Sequence, residues 1–122
     1  MENKKILIVD DESDFVELMQ VRLETSGYSV LTAHNAAEAM QKVKEKPDVI
    51  LLDIMMPDVD GYTLFRRLRK DCDTRSIPII VVTAKPEMEE LFQMEGVDKY
   101  LVKPVDNEEL LSAIKNATGE AG

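Results

Sequence analysis

The chain has 122 residues, of which 44% are hydrophobic and 32% charged, which fits one folded domain and excludes global disorder or a collagen-like repeat. It carries 15 Lys and Arg against 24 Asp and Glu, a formal net charge of −9 that disfavours direct binding to nucleic acid or to an anionic membrane. No apolar run approaches the roughly 20 residues of a membrane span, so we expect a cytoplasmic location. We predict a single domain over residues 1–122, with its core at about residues 4–117 and a frayed tail over 118–122.

Five short apolar runs predict strands. The runs that end in an acidic residue are continuous rather than alternating, which is typical of strands that are buried on both faces of a parallel sheet. The predicted strands cover residues 6–9, 28–33, 49–52, 79–82 and 100–102.

Helical spacing of apolar residues fills the intervals between these runs and the end of the chain. Capping residues, a proline suited to a first helical turn and glycines suited to helix ends mark the boundaries. The expected starts are Ser13 or Asp14, Asn35 with Glu38, Tyr62, Pro86, and Asp106 with Glu109, and the expected ends of the first, second and fourth helices are Gly27, Lys46 and Gly96. Five strands alternating with five helices predict an α/β fold, a doubly wound parallel sheet with helices on both faces.

Polar residues follow or end four of the predicted strands. In an open α/β sheet these carboxyl ends meet at one edge, where ligands bind. Three carboxylates held close together need a compensating cation, and hard oxygen ligands of this kind suit Mg²⁺. The residues that we expect to converge are Asp10 and Asp11 after the first strand, Asp53 after the third, Thr83 after the fourth and Lys103 after the fifth.

Four motifs carry a resemblance to a known family. They are Asp10-Asp11-Glu12 after the first strand, Asp53-Ile54-Met55-Met56-Pro57 with Asp60-Gly61, Val82-Thr83-Ala84, and Tyr100-Leu101-Val102-Lys103-Pro104. From Lys4 to about Ala117 the chain resembles the receiver domain of two-component response regulators, the CheY-like superfamily. The resemblance implies a flavodoxin-like three-layer sandwich with strand order 2-1-3-4-5.

The resemblance implies a phosphorylation-dependent switch with Asp53 as the phosphoacceptor. A sensor histidine kinase or a histidine phosphotransfer protein would supply the phosphoryl group. Mg²⁺ would be the cofactor, held directly by Asp11 and Asp53, largely through water by Asp10, and by the backbone carbonyl of Met55. Beyond its own phosphorylation and dephosphorylation, such a domain would not be an enzyme.

The remaining site residues are also implied by the resemblance. Lys103 would pair with a phosphoryl oxygen, with a cis bond to Pro104, and Thr83 and the Ala84 amide would hydrogen bond the same group. Thr83 and Tyr100 would form the switch, with the Tyr100 ring turning inward and reshaping the face of the fourth helix, fifth strand and fifth helix. That face would bind a downstream protein partner.

Contacts with a kinase are expected on the first helix and on one loop. The residues that we expect there are Asp14, Leu18, Arg22, Val105 and Asp106. Acidic residues on the fourth and fifth helices disfavour the dimer typical of transcription-factor receivers, so we expect a monomer or a weak dimer. The run Arg66-Arg67-Leu68-Arg69-Lys70 is interpreted as a solvated face. Only 20 positions separate Thr83 from Lys103, which indicates a shortened fourth helix or leading loop.

Other functions compete with this interpretation. A phosphatase of the haloacid dehalogenase type also uses an aspartyl nucleophile and Mg²⁺, but it needs a second aspartate as general acid where this chain has Met55. A flavodoxin-like electron carrier shares the fold, but Asp10-Asp11-Glu12 would repel a flavin phosphate. A pseudo-receiver that only binds proteins would tolerate losses among the site residues, and none is lost.

Overall fold

The computed structural model describes residues 3–120 and contains five strands in one sheet. The strands are β1 (Lys5–Val9), β2 (Ser29–Ala33), β3 (Val49–Leu52), β4 (Ile79–Thr83) and β5 (Lys99–Val102). They are all parallel, in the order β2-β1-β3-β4-β5, which confirms the predicted fold class and strand order. Each strand lies within one residue of its predicted bounds, although Thr83 is the last residue of β4 and does not follow it.

Five α-helices cover the two faces of the sheet. They are α1 (Ser13–Thr25), α2 (Ala36–Lys42), α3 (Gly61–Lys70), α4 (Glu89–Met94) and α5 (Asn107–Thr118). Side chains of α2, α3 and α4 pack on one face, while α1 and α5 pack on the other. Successive β1 residues point to opposite faces, so Leu7 joins the first core and Ile8 the second. This two-sided burial explains why β3 and the first four residues of β4 are apolar.

The predicted caps of α2 and α5 are confirmed, and that of α1 is wrong. The side chains of Asn35 and Asp106 each accept a backbone N–H three residues further on, as does that of Asp60 at α3, for which no cap was predicted. In α1 the N-cap is Glu12, whose side chain makes no capping bond, and Ser13 is already helical. The chain turns early because the Glu12 N–H donates to the Asp10 carboxylate at 2.9 Å, so the prediction of Ser13 or Asp14 was wrong.

The helix ends predicted from glycines agree with the structure better than the end predicted from a proline. Gly27 and Gly96 have φ values of 98° and 84°, in the left-handed region that glycine adopts easily. The helix predicted to reach Lys46 instead ends at Lys42 and continues as a 3₁₀ turn over Val43–Glu45. Lys46 is itself left-handed, with φ 57°.

The tail is more ordered than predicted up to residue 120. Thr118 belongs to α5, and Gly119 ends the helix in the left-handed conformation. The Glu120 N–H donates to the Lys115 carbonyl at 3.0 Å, and the Glu120 carboxylate accepts from the Tyr28 hydroxyl at 2.8 Å. A frayed end from residue 118 is therefore wrong as far as 120, and residues 121–122 lie outside the described part of the chain.

The α4 region is short, and the basic run of α3 is only partly solvated. A 3₁₀ turn over Pro86–Met88 leads into six residues of α4. Arg69 donates to the Ile77 carbonyl at 2.9 Å and to the Asp98 carboxylate at 2.9 Å, so it joins α3 to two loops and is not a solvated residue. Among the described residues, no helix combines the length and apolar character needed to cross a membrane.

Candidate functional site

Three aspartates meet where β1 and β3 end. Val9 and Leu52 are paired in the sheet, so Asp10 and Asp53, which follow them, lie side by side. One carboxylate oxygen from each of Asp10, Asp11 and Asp53 lies within 4.8 Å of the other two, and we call these three residues the acidic cluster. Asp10 and Asp53 are only 2% and 5% exposed, whereas Asp11 is exposed. The cluster is therefore open to solvent on the Asp11 side.

Lys103 brings one cation to the cluster. Its Nζ lies 2.8 Å from Asp10 Oδ2 and 3.3 Å from Asp53 Oδ2. It also lies 2.7 Å from Glu12 Oε1, and 4.0 Å from the centre of the Phe15 ring. The peptide bond from Lys103 to Pro104 is cis. The lysine is thus fixed by three carboxylates and an aromatic face.

Charge at the site is strongly unbalanced. The carboxylates of Asp10, Asp11, Glu12 and Asp53 lie near a single ammonium, that of Lys103. The negative charge therefore exceeds the positive charge, and a further cation would reduce the imbalance. Burial raises the pKa of the Asp10 carboxyl, although its hydrogen bond from Lys103 acts in the opposite direction. For Lys103, burial alone would lower the pKa of the ammonium, but the bonds to Asp10 and Glu12 outweigh it and raise the pKa. Lys103 therefore stays charged.

The loop from Ile54 to Asp60 passes the open side of the cluster. The Met55 N–H donates to Asp53 Oδ1 at 3.3 Å, and the Met55 side chain is exposed. Gly61 begins α3 so close to this loop that a Cβ there would lie 2.4 Å from the Asp53 carbonyl oxygen. Only glycine permits this approach, which fixes the backbone of Asp53.

The predicted switch residues lie at the ends of β4 and β5. Thr83 is fully buried, and its hydroxyl accepts the Lys85 N–H at 3.4 Å, while Ala84 is exposed. Among the described contacts, the Thr83 hydroxyl has no bond to the acidic cluster. Tyr100 is 7% exposed, so its ring already points inward, and its hydroxyl donates to the Lys85 carbonyl. Burial, with the nearby charges of Glu89 and Glu87, raises the pKa of Tyr100 to about 12.

The residues expected to contact a kinase occupy mixed environments. Asp14 and Leu18 are exposed on α1 and border one shallow depression, while Arg22 is half-buried in the last turn of the helix. Val105 packs against the core shared by α1 and α5, and Asp106 uses its carboxylate to cap α5. Asp14, Leu18 and Asp106 are therefore exposed, whereas Arg22 and Val105 are half-buried.

Sequence reasoning gave no role to three residues around the site. Glu12 and Phe15 contact Lys103 from the start of α1, and Asp58 bonds from the loop to the N-terminus of α2. The first two could have been noticed, because Glu12 extends the acidic run and Phe15 lies one helical turn beyond Asp11. The Asp58 contact joins positions 22 residues apart and has no local signal.

The donor set of the cluster fits Mg²⁺. Its oxygens are hard ligands, two of the carboxylates are buried, and one faces solvent, which suits an ion that keeps several waters. Lys103 balances only part of the negative charge, so a divalent cation is compatible with the electrostatics of the site.

Comparison with known proteins identifies the family. The family model that describes the response regulator receiver domain matches residues 6–115 of the sequence, so the chain belongs to that family. Membership supports a part in phosphorylation-dependent signalling through a two-component system. Receiver domains bind Mg²⁺ in an acidic pocket and are generally not true enzymes.

Individual relatives differ in how much of them the chain covers. It is 43% identical over 116 residues to the alkaline phosphatase synthesis transcriptional regulatory protein PhoP of Bacillus subtilis, covering 93% of this chain and 48% of PhoP. It is 42% identical to the protein PilH of Pseudomonas aeruginosa, covering 90% of this chain and 93% of PilH. The chain thus spans about half the length of PhoP and nearly all of PilH.

A solved structure with the same fold is a complex with Mg²⁺ and BeF. The response regulator protein TrrA of Thermotoga maritima, in complex with Mg²⁺ and BeF, is 33% identical with a TM-score of 0.85. The match covers 93% of this chain and 98% of that chain. Both the backbone fold and the sequence therefore place this chain among the receiver domains.

Proposed function

We propose that this receiver domain accepts a phosphoryl group on Asp53 from a sensor histidine kinase or a histidine phosphotransfer protein, with Mg²⁺ at the acidic cluster. The observation that supports this most directly is the Lys103 ammonium, bonded to Asp10 and 3.3 Å from Asp53. A nearly buried carboxylate beside a fixed cation has the surroundings that an attacking oxygen and a developing phosphoryl charge require. The proposed functional unit is residues 4–117.

Each residue of the site has its own role in the proposed phosphoryl transfer. An oxygen of Asp53 forms the new bond to phosphorus while the bond from phosphorus to the donor imidazole nitrogen breaks, with the two roughly in line. Lys103 supplies a fixed positive charge to a phosphoryl oxygen, and the Thr83 hydroxyl and Ala84 amide donate to the same group. Asp10, Asp11, Asp53 and the Met55 carbonyl would hold Mg²⁺, which supplies further neutralisation of phosphoryl charge.

Two surfaces are proposed for the protein partners. The kinase docks on α1, where Leu18 is 47% exposed and Val21 62% exposed beside Asp14. The downstream partner docks on α4, β5 and α5, where Met94 and Val102 are exposed and Tyr100 lies beneath. Tyr100 links this face to the site, because its hydroxyl holds the Lys85 carbonyl two residues beyond Thr83. Neither surface is proposed to contact nucleic acid directly.

Intact-mass spectrometry tests phosphorylation. The chain is incubated with acetyl phosphate, with and without Mg²⁺, as wild type, as Asp53→Asn and as Asp73→Asn. Asp73 is an exposed aspartate in the loop after α3 and serves as the matched control. We expect one Mg²⁺-dependent phosphoryl adduct on the wild type and on Asp73→Asn, and none on Asp53→Asn.

A missing adduct on the wild type has two explanations that a second measurement separates. Beryllofluoride forms a stable analogue of the phosphoryl group, so it reports binding even if hydrolysis is fast. Binding of beryllofluoride to the wild type but not to Asp53→Asn supports the proposal. No adduct and no beryllofluoride binding by a folded wild type would contradict it and leave a constitutive protein-binding domain.

A further inference from the structure

The Asp58 carboxylate forms a bridge between the loop beside the acidic cluster and the N-terminus of α2. Its Oδ1 accepts the Ala36 N–H at 3.0 Å, and its Oδ2 accepts the Ala37 N–H at 3.1 Å. Ala36 and Ala37 are the first two residues of α2, and their N–H groups have no partner inside the helix. Asp58 therefore caps a helix to which it does not belong.

This cap is separate from the one that α2 carries itself. The side chain of Asn35 accepts the Glu38 N–H at 2.8 Å, which satisfies a different donor of the same turn. The bond from the Ala36 N–H favours the charged form of Asp58 and lowers the pKa of its carboxyl, and the backbone N–H groups of Val59 and Ala37 act in the same direction. The first turn of α2 thus depends on one local cap and on one cap from a distant loop.

The loop that carries Asp58 is held at two places. At its base, the Gly61 N–H donates to the Ile54 carbonyl at 2.7 Å, and the Met55 N–H donates to the Asp53 carboxylate. At its far end, the bonds of Asp58 to α2 fix the turn after Pro57. The Met55 N–H belongs to the base anchor, but its carbonyl, a proposed metal ligand, begins the stretch that runs to Asp58, so release of the far anchor would free the backbone on the carbonyl side of Met55.

We propose that Asp58 is a positioning residue that couples the acidic cluster to the first turn of α2. Mg²⁺ at the cluster orders the loop and so strengthens the cap on α2, and the cap in turn holds the loop in the arrangement that binds Mg²⁺. Coupling between two binding equilibria is reciprocal, so each strengthens the other by the same factor. The proposal rests on the proposed function, because it takes Mg²⁺ as the ligand of the cluster. It makes the start of α2 a second region, apart from α4, β5 and α5, that responds to the state of the site.

Calorimetric titration of the whole chain with Mg²⁺ provides the first test. Asp58→Ala is expected to weaken Mg²⁺ binding by about threefold or more, less than the roughly 10–100-fold typical of groups bonded directly to a ligand. Two control variants should bind Mg²⁺ as the wild type does. Asn35→Ala removes the local cap of α2 but keeps the bridge, and Asp60→Asn removes one charge from the same loop but keeps an oxygen that caps α3.

Amide hydrogen exchange provides a readout that a merely structural role of Asp58 would not give. In the wild type, exchange at Ala36 and Ala37 should slow when Mg²⁺ and beryllofluoride are added, and in Asp58→Ala it should not respond. If Asp58→Ala does not fold, Asp58→Asn, which keeps one acceptor oxygen, should show an intermediate loss of both effects.

The possible outcomes separate the two proposals. Wild-type affinity for Mg²⁺ in Asp58→Ala, or an unchanged exchange response at Ala36 and Ala37 in that variant, would overturn the coupling while leaving the metal site intact. A wild type that binds no Mg²⁺ would contradict the proposed function itself. Weaker binding in Asn35→Ala equal to that in Asp58→Ala would overturn the bridge, because general loosening of α2 would then explain the result.

Discussion

The Lys103 ammonium lies 2.7 Å from Glu12 Oε1, closer than its 3.3 Å distance to Asp53 Oδ2. An ammonium has three protons to donate, and Asp10, Glu12 and Asp53 use all three. A phosphoryl oxygen that pairs with Lys103 must therefore displace one of them. The Glu12 side chain is 62% exposed and Asp10 only 2%, so water can replace Lys103 most readily at Glu12.

Glu12→Gln should accelerate phosphorylation by acetyl phosphate, because it removes the carboxylate that competes for Lys103. An exposed ion pair is worth about 0.2–1 kcal/mol, so the initial rate should rise by up to about fivefold. A time course of the phosphoryl adduct by mass spectrometry measures this rate. Glu17→Gln is the matched control, because Glu17 is an exposed carboxylate on α1 and has no ion pair with Lys103 among the described residues. An unchanged or slower rate in Glu12→Gln would show that Glu12 does not compete.

Gly61→Ala should damage both stability and the site. Its new Cβ would lie 2.4 Å from the Asp53 carbonyl oxygen and 2.6 Å from the Ile54 Cα, and backbone atoms cannot move aside as a flexible side chain can. We expect a loss of about 2–3 kcal/mol in the free energy of unfolding, measured in urea, together with slower phosphorylation.

The control for this prediction is Gly96→Ala. Gly96 has φ 84°, so alanine there is strained, but apart from its two chain neighbours no other residue has an atom within 4 Å of the added Cβ. Its free energy of unfolding should fall by about 1–2 kcal/mol, and its phosphorylation rate should not change. Equal rates for Gly61→Ala and wild type would contradict the claim that the close approach of α3 fixes Asp53.

Several features of the site were accessible from the sequence because they depend on local signals. The apolar runs before Asp10 and Asp53 are continuous, which identified buried parallel strands and so the edge where both carboxylates meet. The side chains of Asn35 and Asp106 cap their helices as the spacing predicted. These features are determined by residues that are close in sequence, so they can be recognised without the structure.

Most of the features that were not predicted from the sequence depend on contacts between residues that are far apart in the chain. Glu12 and Lys103 are 91 positions apart, and Asp58 and Ala36 are 22 apart, so no local pattern joins either pair. Arg69 belongs to a basic run that has the pattern of a solvated face, yet its guanidinium reaches carbonyls that only the folded chain places nearby. The start of α1 is a local exception, because the Asp10 carboxylate accepts the N–H of Glu12, only two residues further on, and so sets the turn before the helix.

Arg69→Lys should destabilise the fold. The Arg69 guanidinium donates to the Ile77 carbonyl and to Asp98 at 2.9 Å each, and a single ammonium cannot reproduce this planar arrangement. We expect the free energy of unfolding to fall by about 1–2 kcal/mol in urea. Arg67→Lys, on the exposed part of α3, should stay within about 0.5 kcal/mol of wild type. Equal free energies of unfolding for the two variants would show that Arg69 contributes no more to stability than a solvated arginine does.

Tyr28 should make the protein less stable at alkaline pH. Burial and the hydrogen bond to Glu120 raise the pKa of Tyr28 to about 12. An unfolded phenol releases its proton near pH 10, so between about pH 10 and 12 the unfolded state loses a proton that the folded state keeps. The contribution of Tyr28 is thus complete below pH 10 and is lost as the pH rises through 12.

Urea unfolding between pH 8 and pH 11.5, roughly the range that spans the unfolded pKa, measures this effect. The decline in the free energy of unfolding above about pH 10 should be smaller in Tyr28→Phe than in wild type. Glu120→Gln keeps a hydrogen-bond acceptor and removes the charge, so its decline should lie between the two. Identical slopes in all three proteins would contradict the raised pKa of Tyr28.

The central claim is that Asp53 carries the phosphoryl group, and locating the modified residue tests it most directly. Borohydride reduces an acyl phosphate to an alcohol, which converts a phosphorylated aspartate into homoserine, and leaves free carboxylates unchanged. The chain is phosphorylated with acetyl phosphate and Mg²⁺, reduced, cleaved and sequenced by tandem mass spectrometry. We predict homoserine at position 53 alone. Homoserine at position 10 or 11, or an aspartate that stays unmodified at 53 in a chain that carries the adduct, would contradict the claim.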